Sequence, residues 1–417
     1  MSVLRNYVLV TGAYWGFTLT DGALRMLVLL HFHQLGYSAI QLAFLFLFYE
    51  LFGVVTNLVG GWIAAHMGLR VTLFSGLALQ VLALGMLSFV GPEWPKSASV
   101  AYVMAAQALS GIAKDLTKMS SKSSIKLLLP ANATSSLFKW VALLTGSKNA
   151  LKGVGFFLGG LLLTTLGFVV SLWSMAGALA IVLLLCVASL PAEMGKAKTK
   201  TKLKGILSKT REVNVLSAAR FFLFGARDVW FVVGVPVFLS TQLQWGFTEV
   251  GSFLAAWVIG YGVIQSIAPG IIRLWTGGHA PQGRAAQLLA IALAGVMTLV
   301  ALGLASGYSP TVVVLAGLAA FGVVFAVNSS VHSYLILAYS DGDKVALNVG
   351  FYYMANAGGR LAGTVLSGVL YQVAGLSGCL WASVAFALAT AGLSWLLPQK
   401  QSGLLMSEMK GDSGGGD

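Results

Sequence analysis

The run FVVSLWSMAGALAIVLLLCVASL (residues 168–190) is followed directly by PAEMGKAKTKTKLKGILSKTR (191–211). The first string carries no charged side chain over 23 residues. As a helix it is about 35 Å long, enough to cross a hydrocarbon core of about 30 Å. The second string supplies Lys196, Lys198, Lys200, Lys202, Lys204, Lys209 and Arg211. An apolar helix of bilayer length that ends on a strongly basic segment reads as a membrane span leaving on the cytoplasmic face, because Lys and Arg concentrate in cytoplasmic loops.

The rest of the chain repeats the pattern. Apolar runs fall near residues 8–31, 39–64, 71–91, 98–121 and 135–163, then 168–190. After the basic segment they recur near 213–241, 248–272, 285–307, 310–338, 345–372 and 377–397. Only 9% of residues are charged and 57% are hydrophobic, whereas soluble domains carry about 25% charged residues. The expectation is an all-α membrane protein of twelve transmembrane helices in two six-helix halves. Residues 1–190 form the first bundle and 213–397 the second, joined by a basic cytoplasmic linker at 191–212 and followed by a disordered cytoplasmic tail at 398–417.

Other loops agree on orientation. Arg70, Lys122, Lys126, Arg273, Arg284 and Lys344 fall on the same side as the linker, and only Lys96 falls on the other. Both termini are therefore expected in the cytoplasm. The first apolar run is too long for a signal-peptide core and lacks a small-residue cleavage site. Cys186 and Cys379 lie far apart in apolar runs, so neither a disulfide framework nor a thiolate metal site is expected. The net charge of +13 would point to nucleic acid in a soluble protein; here the charges sit in loops and inside spans, and the expected surroundings are lipid and a small anion, with no nucleic acid and no cofactor.

A shift of 207 residues pairs Phe17 with Phe224, Asp21 with Asp228, Gly53 with Gly260, and Asn149-Ala150 with Asn356-Ala357. Gly155-x-x-x-Gly159 and Gly359-x-x-x-Gly363 share the small-xxx-small form that lets helices approach closely. Both features fit two halves that repeat in parallel.

The charges inside the spans carry the most information. Nine are basic (Arg25, Lys114, Lys118, Lys139, Lys148, Lys152, Arg220, Arg227, Arg360) and four acidic (Asp21, Glu50, Asp115, Asp228). Each costs about 2.5–3.5 kcal/mol at a helix centre even on lenient scales. Pairing within the chain neutralises at most four of the bases, so the rest must meet water or an outside anion. Helical rise places Arg25, Lys148, Lys152, Arg227 and Arg360 about 20–26 Å into their spans, near the midplane where transporter sites lie. Lys148 and Lys152 share a helix face. Lys114 completes the basic set, and Asn149 and Asn356 add directional hydrogen bonds. Each charge also has a structural reading. Lys118, Lys122, Lys126 and Lys139 read as cytoplasmic-end placement, and Arg220 is evenly balanced. Asp21 and Arg25, four apart, are able to pair, whereas adjacent Arg227 and Asp228 point about 100° apart and are poorly placed to do so. Glu50 and Asp115, with Asp21 and Asp228, read as counter-charges or proton carriers. His31 and His33 read as interfacial, and the role of His332 is open. Lys and Arg both suit phosphate-like oxyanions.

Five strings go further: LTDGALRMLVLLHFHQLGY (19–37), FGVVTNLVGGW (52–62), QALSGIAKDLTKMSSKSSIKLL (107–128), FKWVALLTGSKNALKGVGFFLGG (138–160) and NVLSAARFFLFGARDVWFVVGVPV (214–237). Together they resemble the organoarsenical efflux permease family (ArsJ) within the major facilitator superfamily. The superfamily's loop signature Gly-x-x-x-Asp-Arg-x-Gly-x-Arg is met in part by Gly61, Gly68 and Arg70, with Ala65 and His66 departing from it. The resemblance implies export of 1-arseno-3-phosphoglycerate across a bacterial inner membrane, with glyceraldehyde-3-phosphate dehydrogenase as the functional partner that makes it, and hence arsenate resistance. It supplies no site residues.

The expected mechanism is alternating access. Lys148, Lys152 and Arg25 would take one anionic group, Arg227 and Arg360 the other. The alternatives are an organophosphate/phosphate exchanger or a proton-coupled exporter of another organic anion. A membrane enzyme has little support, since HExxH does not occur and no Gly-x-Ser-x-Gly falls within an apolar run, the one such string lying in the tail at 411–415.

Overall fold

The computed structural model describes residues 2–91, 93–125, 134–191, 210–276, 281–339 and 345–398. Twelve helices account for nearly all of these: α1 (Ser2–Gln34), α2 (Ala39–Leu45), α3 (Leu47–Met67), α4 (Leu69–Leu87), α5 (Lys96–Ile125), α6 (Thr134–Ser189), α7 (Arg211–Phe231), α8 (Gly234–Thr241), α9 (Phe247–Trp275), α10 (Gly283–Ala305), α11 (Pro310–Ala338) and α12 (Val345–Trp395). The linker expected at 191–212 and the tail expected at 398–417 lie almost wholly outside the described residues.

Helices and expected spans do not map one to one. α6 and α12 each contain two crossings joined at a single glycine, Gly167 (φ 74°) and Gly375 (φ 62°). Positive φ is open to glycine at little steric cost, and it reverses the chain without a loop. Ser171 Oγ donates to the Leu162 carbonyl at 3.0 Å, yet residues nine apart in a straight helix are separated by about 13 Å. Likewise Cys379 Sγ lies 3.6 Å from the Ser367 carbonyl. Two expected spans are instead split. The run 39–64 is interrupted at Phe46, between α2 and α3. The run 213–241 is interrupted at Val232–Val233, because Pro236 has no N–H to give the Val232 carbonyl. Ser367 Oγ repairs part of the break by accepting from Val233 N–H and Gly234 N–H at 3.2 and 3.0 Å. With these joins and splits, the described helices make twelve crossings.

The chain is thus an all-α, multi-pass membrane protein. Its helices are long and apolar enough to cross a bilayer in eight stretches, two of them double; α1 and α5, at 33 and 30 residues, supply the remaining crossings and hold cavity charges.

Packing repeats between the halves. α1 packs most closely on α6, and α7 on α12. Both contacts depend on missing side chains. A Cβ on Gly22 would lie 2.8 Å from the Lys152 carbonyl oxygen, and one on Gly155 would lie 2.7 Å from that of Leu19. In the second half, Gly359 sits on the Phe221 carbonyl, and a Cβ on Gly363 would meet Asp228 Cβ at 2.9 Å. These approaches carry Lys152 to the side of Arg25, and Arg360 to the side of Asp228.

The halves also touch each other, through α6 against α9 and α12 against α2 and α3. On the face opposite the basic loops, Gly160 abuts the Phe247 carbonyl and Gly368 the Ala39 carbonyl. There Ile40 N–H donates to Gln372 Oε1 at 3.2 Å, and the Thr164 and Thr248 hydroxyls lie 3.1 Å apart.

Gly359→Ala is expected to destabilise the protein by about 1–3 kcal/mol through overpacking against α7, read as a lower thermal midpoint in detergent. Gly392→Ala, where a Cβ meets nothing within 4 Å, is expected to leave the midpoint unchanged or raise it slightly. Equal midpoints for the two variants would refute the close-approach account.

Candidate functional site

A cavity of about 230 Å³ lies between the halves. α1, α3, α5 and α6 line it from one side, and α7, α9, α11 and α12 from the other. Helical spacing selects the lining. α1 presents Tyr14, Phe17, Thr18, Asp21 and Arg25; α6 presents Lys148, Asn149, Lys152 and Phe156; α7 presents Arg220, Phe224, Arg227 and Phe231; α12 presents Tyr353, Asn356, Ala357 and Arg360. Steps of three and four keep each set on one helix face.

The structure brings Arg25, Lys114, Lys148, Asn149, Lys152, Arg227, Asn356 and Arg360 to this one cavity, together with Asp21 and Asp115. Glu50 and Asp228 stand behind the lining, each 0% exposed. Two further cations line the cavity that the sequence reading left aside, Lys118 and Arg220. Arg220 precedes Arg227 by two turns, on the same face as Phe224 and Phe231, and that heptad spacing was the available signal. Lys118 lies one turn beyond Lys114. Gln265, Tyr261, Ser333 and Asn57 also line the cavity; no charge marks them in the sequence. Lys122, Lys126 and Lys139 lie outside the described side chains, as does most of the loop segment 61–67. Arg70, from the same loop, donates to the Val187 carbonyl at 3.3 Å.

The ion pairs differ from expectation. Asp21 and Arg25 do not pair. Asp21 accepts from the Tyr49 hydroxyl at 2.7 Å, while Arg25 Nη2 reaches Glu50 Oε1 at 2.6 Å. Adjacent Arg227 and Asp228 do pair, at 2.5 Å. The backbone directions diverge, but the arginine stem is long enough to fold its guanidinium back onto the neighbouring carboxylate. Arg360 is the centre of the array. Its Nη2 binds Glu50 Oε1 at 2.6 Å and its Nε binds Asp228 Oδ2 at 3.1 Å. The result is a chain across the halves, Arg25–Glu50–Arg360–Asp228–Arg227. Asp115 holds Lys118 at 2.6 Å and accepts from Thr56 at 2.8 Å.

Among the described residues, Arg220, Lys114 and Lys152 are held without carboxylates. Arg220 donates to Asn356 Oδ1 at 2.9 Å and to the Ser329 carbonyl and hydroxyl at 3.2 and 3.1 Å. Its guanidinium lies 4.0 Å from the Phe224 ring centre, and Arg227 lies 4.8 Å from the same ring. Lys114 sits 4.1 Å from the Tyr49 ring and Lys152 5.7 Å from that of Phe156; neither is in an ion pair among the described residues. Asn149 donates to Gln265 across the halves at 3.1 Å. In all, eight cations line the cavity, against the four carboxylates Asp21, Glu50, Asp115 and Asp228 in or directly behind its wall. The described side chains therefore leave the cavity wall with a surplus of positive charge.

His31 stacks on Phe168 with ring centres 3.9 Å apart, near the end of α1 and away from the cavity. His332 is fully buried in α11, and neither ring nitrogen has a partner among the described residues.

The Major Facilitator Superfamily profile matches residues 9–333 of the chain. No curated protein matches it.

Asp228→Asn removes the buried carboxylate shared by two half-buried arginines and is expected to cost about 3–5 kcal/mol, seen as a fall in thermal midpoint. Inorganic phosphate is expected to raise the midpoint of this variant more than that of the unaltered protein. An unchanged midpoint without phosphate would show that the pair contributes nothing.

Proposed function

Because the chain belongs to the major facilitator superfamily, a family of membrane transporters, we propose that it exports a small multiply charged organic anion by alternating access, and that the cargo is the arsenate ester 1-arseno-3-phosphoglycerate. One observation carries this reading: eight cations converge on one cavity between the halves while, among the described residues, four carboxylates stand near them. Cations at membrane depth without counter-charge are unfavourable, and a bound oxyanion supplies what is missing. Lys148, Lys152 and Lys114 are proposed to take one anionic end as point charges. Arg227, Arg220 and Arg360 take the other as planar donors, with Asn149 and Asn356 orienting the middle of the cargo. The arsenate ester, with a phosphate at one end and an arsenate at the other, has that two-ended form. Its specific naming rests on the sequence resemblance.

The proposed setting is a bacterial inner membrane with both termini cytoplasmic, since the basic loops lie on one face. Glyceraldehyde-3-phosphate dehydrogenase would supply the cargo. A negative interior drives anions outward by about 2.3 kcal/mol per charge per 100 mV, so uniport suffices energetically.

A second reading, export of another organic anion, is favoured by the rings around the cavity. Phe17, Phe156, Phe224, Phe231 and Trp257 all reach it, and a cargo with a flat apolar part would use them.

The test is arsenate tolerance in a host stripped of its own arsenic exporters. The chain is expressed alone, with active dehydrogenase and with inactive dehydrogenase. Tolerance is expected only with both active proteins, the host enzyme being controlled for. Lys148→Ala with Lys152→Ala, at normal expression, is expected to cut ester export about tenfold or more, since each lost charged hydrogen bond is worth about 1.5–3 kcal/mol. Absence of tolerance in well-expressed strains would remove the arsenate ester as cargo. Competition by aromatic carboxylates but not by 3-phosphoglycerate would favour the second reading.

A further inference from the structure

Glu50 uses its two oxygens unequally. Oε1 accepts from Arg25 Nη2 and from Arg360 Nη2, both at 2.6 Å. Oε2 is buried and has no partner among the described residues. Arg25 belongs to the same half as Glu50 and Arg360 to the other half, so one oxygen atom ties the halves together at the cavity wall. The Glu50 side chain is 1% exposed, whereas the Arg360 side chain, which lines the cavity, retains 16%. Arg360 gives Nε to Asp228 and Nη2 to Glu50, which leaves Nη1 for an anion in the cavity.

This geometry has a consequence for how the transporter resets. To change the face on which it opens, a carrier of this kind passes through a state closed to both sides. Water leaves, and the repulsion between two guanidinium groups grows as the local dielectric falls. Buried charge of one sign without a counter-ion is strongly unfavourable. Something anionic must therefore lie between Arg25 and Arg360 at that moment. In the loaded carrier the cargo is available; in the empty carrier Glu50 is the group in place.

We propose that Glu50 is an internal stand-in for the anionic cargo, bridging Arg25 and Arg360 when the cavity is empty so that the unloaded transporter returns. The inference rests on reading the cavity as an anion path, and it adds the mode of transport: net export rather than obligatory exchange. The unequal oxygens explain why the stand-in yields. A tetrahedral oxyanion offers each arginine an oxygen of its own, whereas Glu50 serves both with one. Binding of the cargo therefore weakens the Glu50–Arg360 tie, and departure of the cargo restores it.

The test needs no cargo, so it stands or falls separately from the choice of substrate. Fluorescent donor and acceptor labels are placed at Phe89→Cys in one half and Tyr308→Cys in the other. Both positions lie in connections between helices on the face opposite the basic loops and are 65% and 68% exposed; the native Cys186 and Cys379 are buried and are replaced by alanine. Switching between halves together and halves apart is followed on single full-length molecules in lipid nanodiscs, without phosphate. The unaltered empty protein is expected to switch between the two distances. In Glu50→Gln the switching rate is expected to fall at least about tenfold and to return when inorganic phosphate is added. Glu50→Gln combined with Arg360→Met removes one charge of each sign and is expected to keep switching without phosphate, which guards against a poorly folding single variant. An unchanged switching rate in phosphate-free Glu50→Gln would overturn the proposal. So would an absence of switching in the empty unaltered protein or in the charge-balanced double variant.

Discussion

Positive charge kept at membrane depth without enough negative charge to match it is the constraint around which this structure is organised. In water the eight cavity cations would be ordinary. Between packed helices each one must be held by something that does not cancel it, or the cavity would lose its attraction for anions. The structure uses two kinds of holder. Carboxylates are shared: Glu50 serves Arg25 and Arg360, and Asp228 serves Arg360 and Arg227. Sharing fixes three guanidinium groups with two charges and leaves one positive charge over. Asp115 holds Lys118, while aromatic rings, carbonyls and amides hold Arg220, Lys114 and Lys152. Phe224 lies under both Arg220 and Arg227, and Asn356 and Ser329 take Nε and Nη1 of Arg220. A ring face attracts a cation through its quadrupole and leaves the formal charge intact.

This division also separates the basic residue types. The arginines form a rigid array, because a planar fork bonded at two or three points has little freedom left. Lys114 and Lys152 each lie over a ring, without an ion pair among the described residues. The close glycine contacts serve the same array. Without Gly22 the backbone at Lys152 stands off from α1, and without Gly363 Arg360 moves away from Asp228.

The twelve crossings and most of the cavity cations were legible in the sequence because both follow from single-residue properties. Length of apolar run gives crossings, and a charge inside such a run is conspicuous wherever it stands. What was not legible depends on partners distant in sequence. Arg25 chooses Glu50 over Asp21 because Tyr49 occupies Asp21, and no spacing rule contains that competition. The Arg227–Asp228 pair was misjudged from backbone direction alone, which ignores how far an arginine stem reaches. Gly167 and Gly375 fall in the short gaps between apolar runs, at 164–167 and 373–376. They are single-residue reversals, and only their positive φ distinguishes them from the many helical glycines of this chain. Lys118 was read as belonging to the basic helix end because its neighbours Lys122 and Lys126 continue the stripe; the hydrogen bond to Asn57 at 2.7 Å and the pair with Asp115 draw it to the cavity instead.

The repeat between the halves is faithful in packing and unfaithful in charge, and the difference bears on mechanism. Phe17 and Phe224, and Asn149 and Asn356, line the cavity from opposite sides, while the related pair Asp21 and Asp228 do different work. Asp21 accepts a hydroxyl, and Asp228 neutralises arginines. Glu50 has no acidic counterpart at the equivalent position, where a shift of 207 residues falls on Trp257. Two identical halves would place identical charges across the interface, and like charges would meet like on closure. Placing the carboxylate on one side and its arginine on the other turns the interface into an attractive contact that an entering oxyanion can replace, so that one pair of groups couples occupancy of the cavity to contact between the halves.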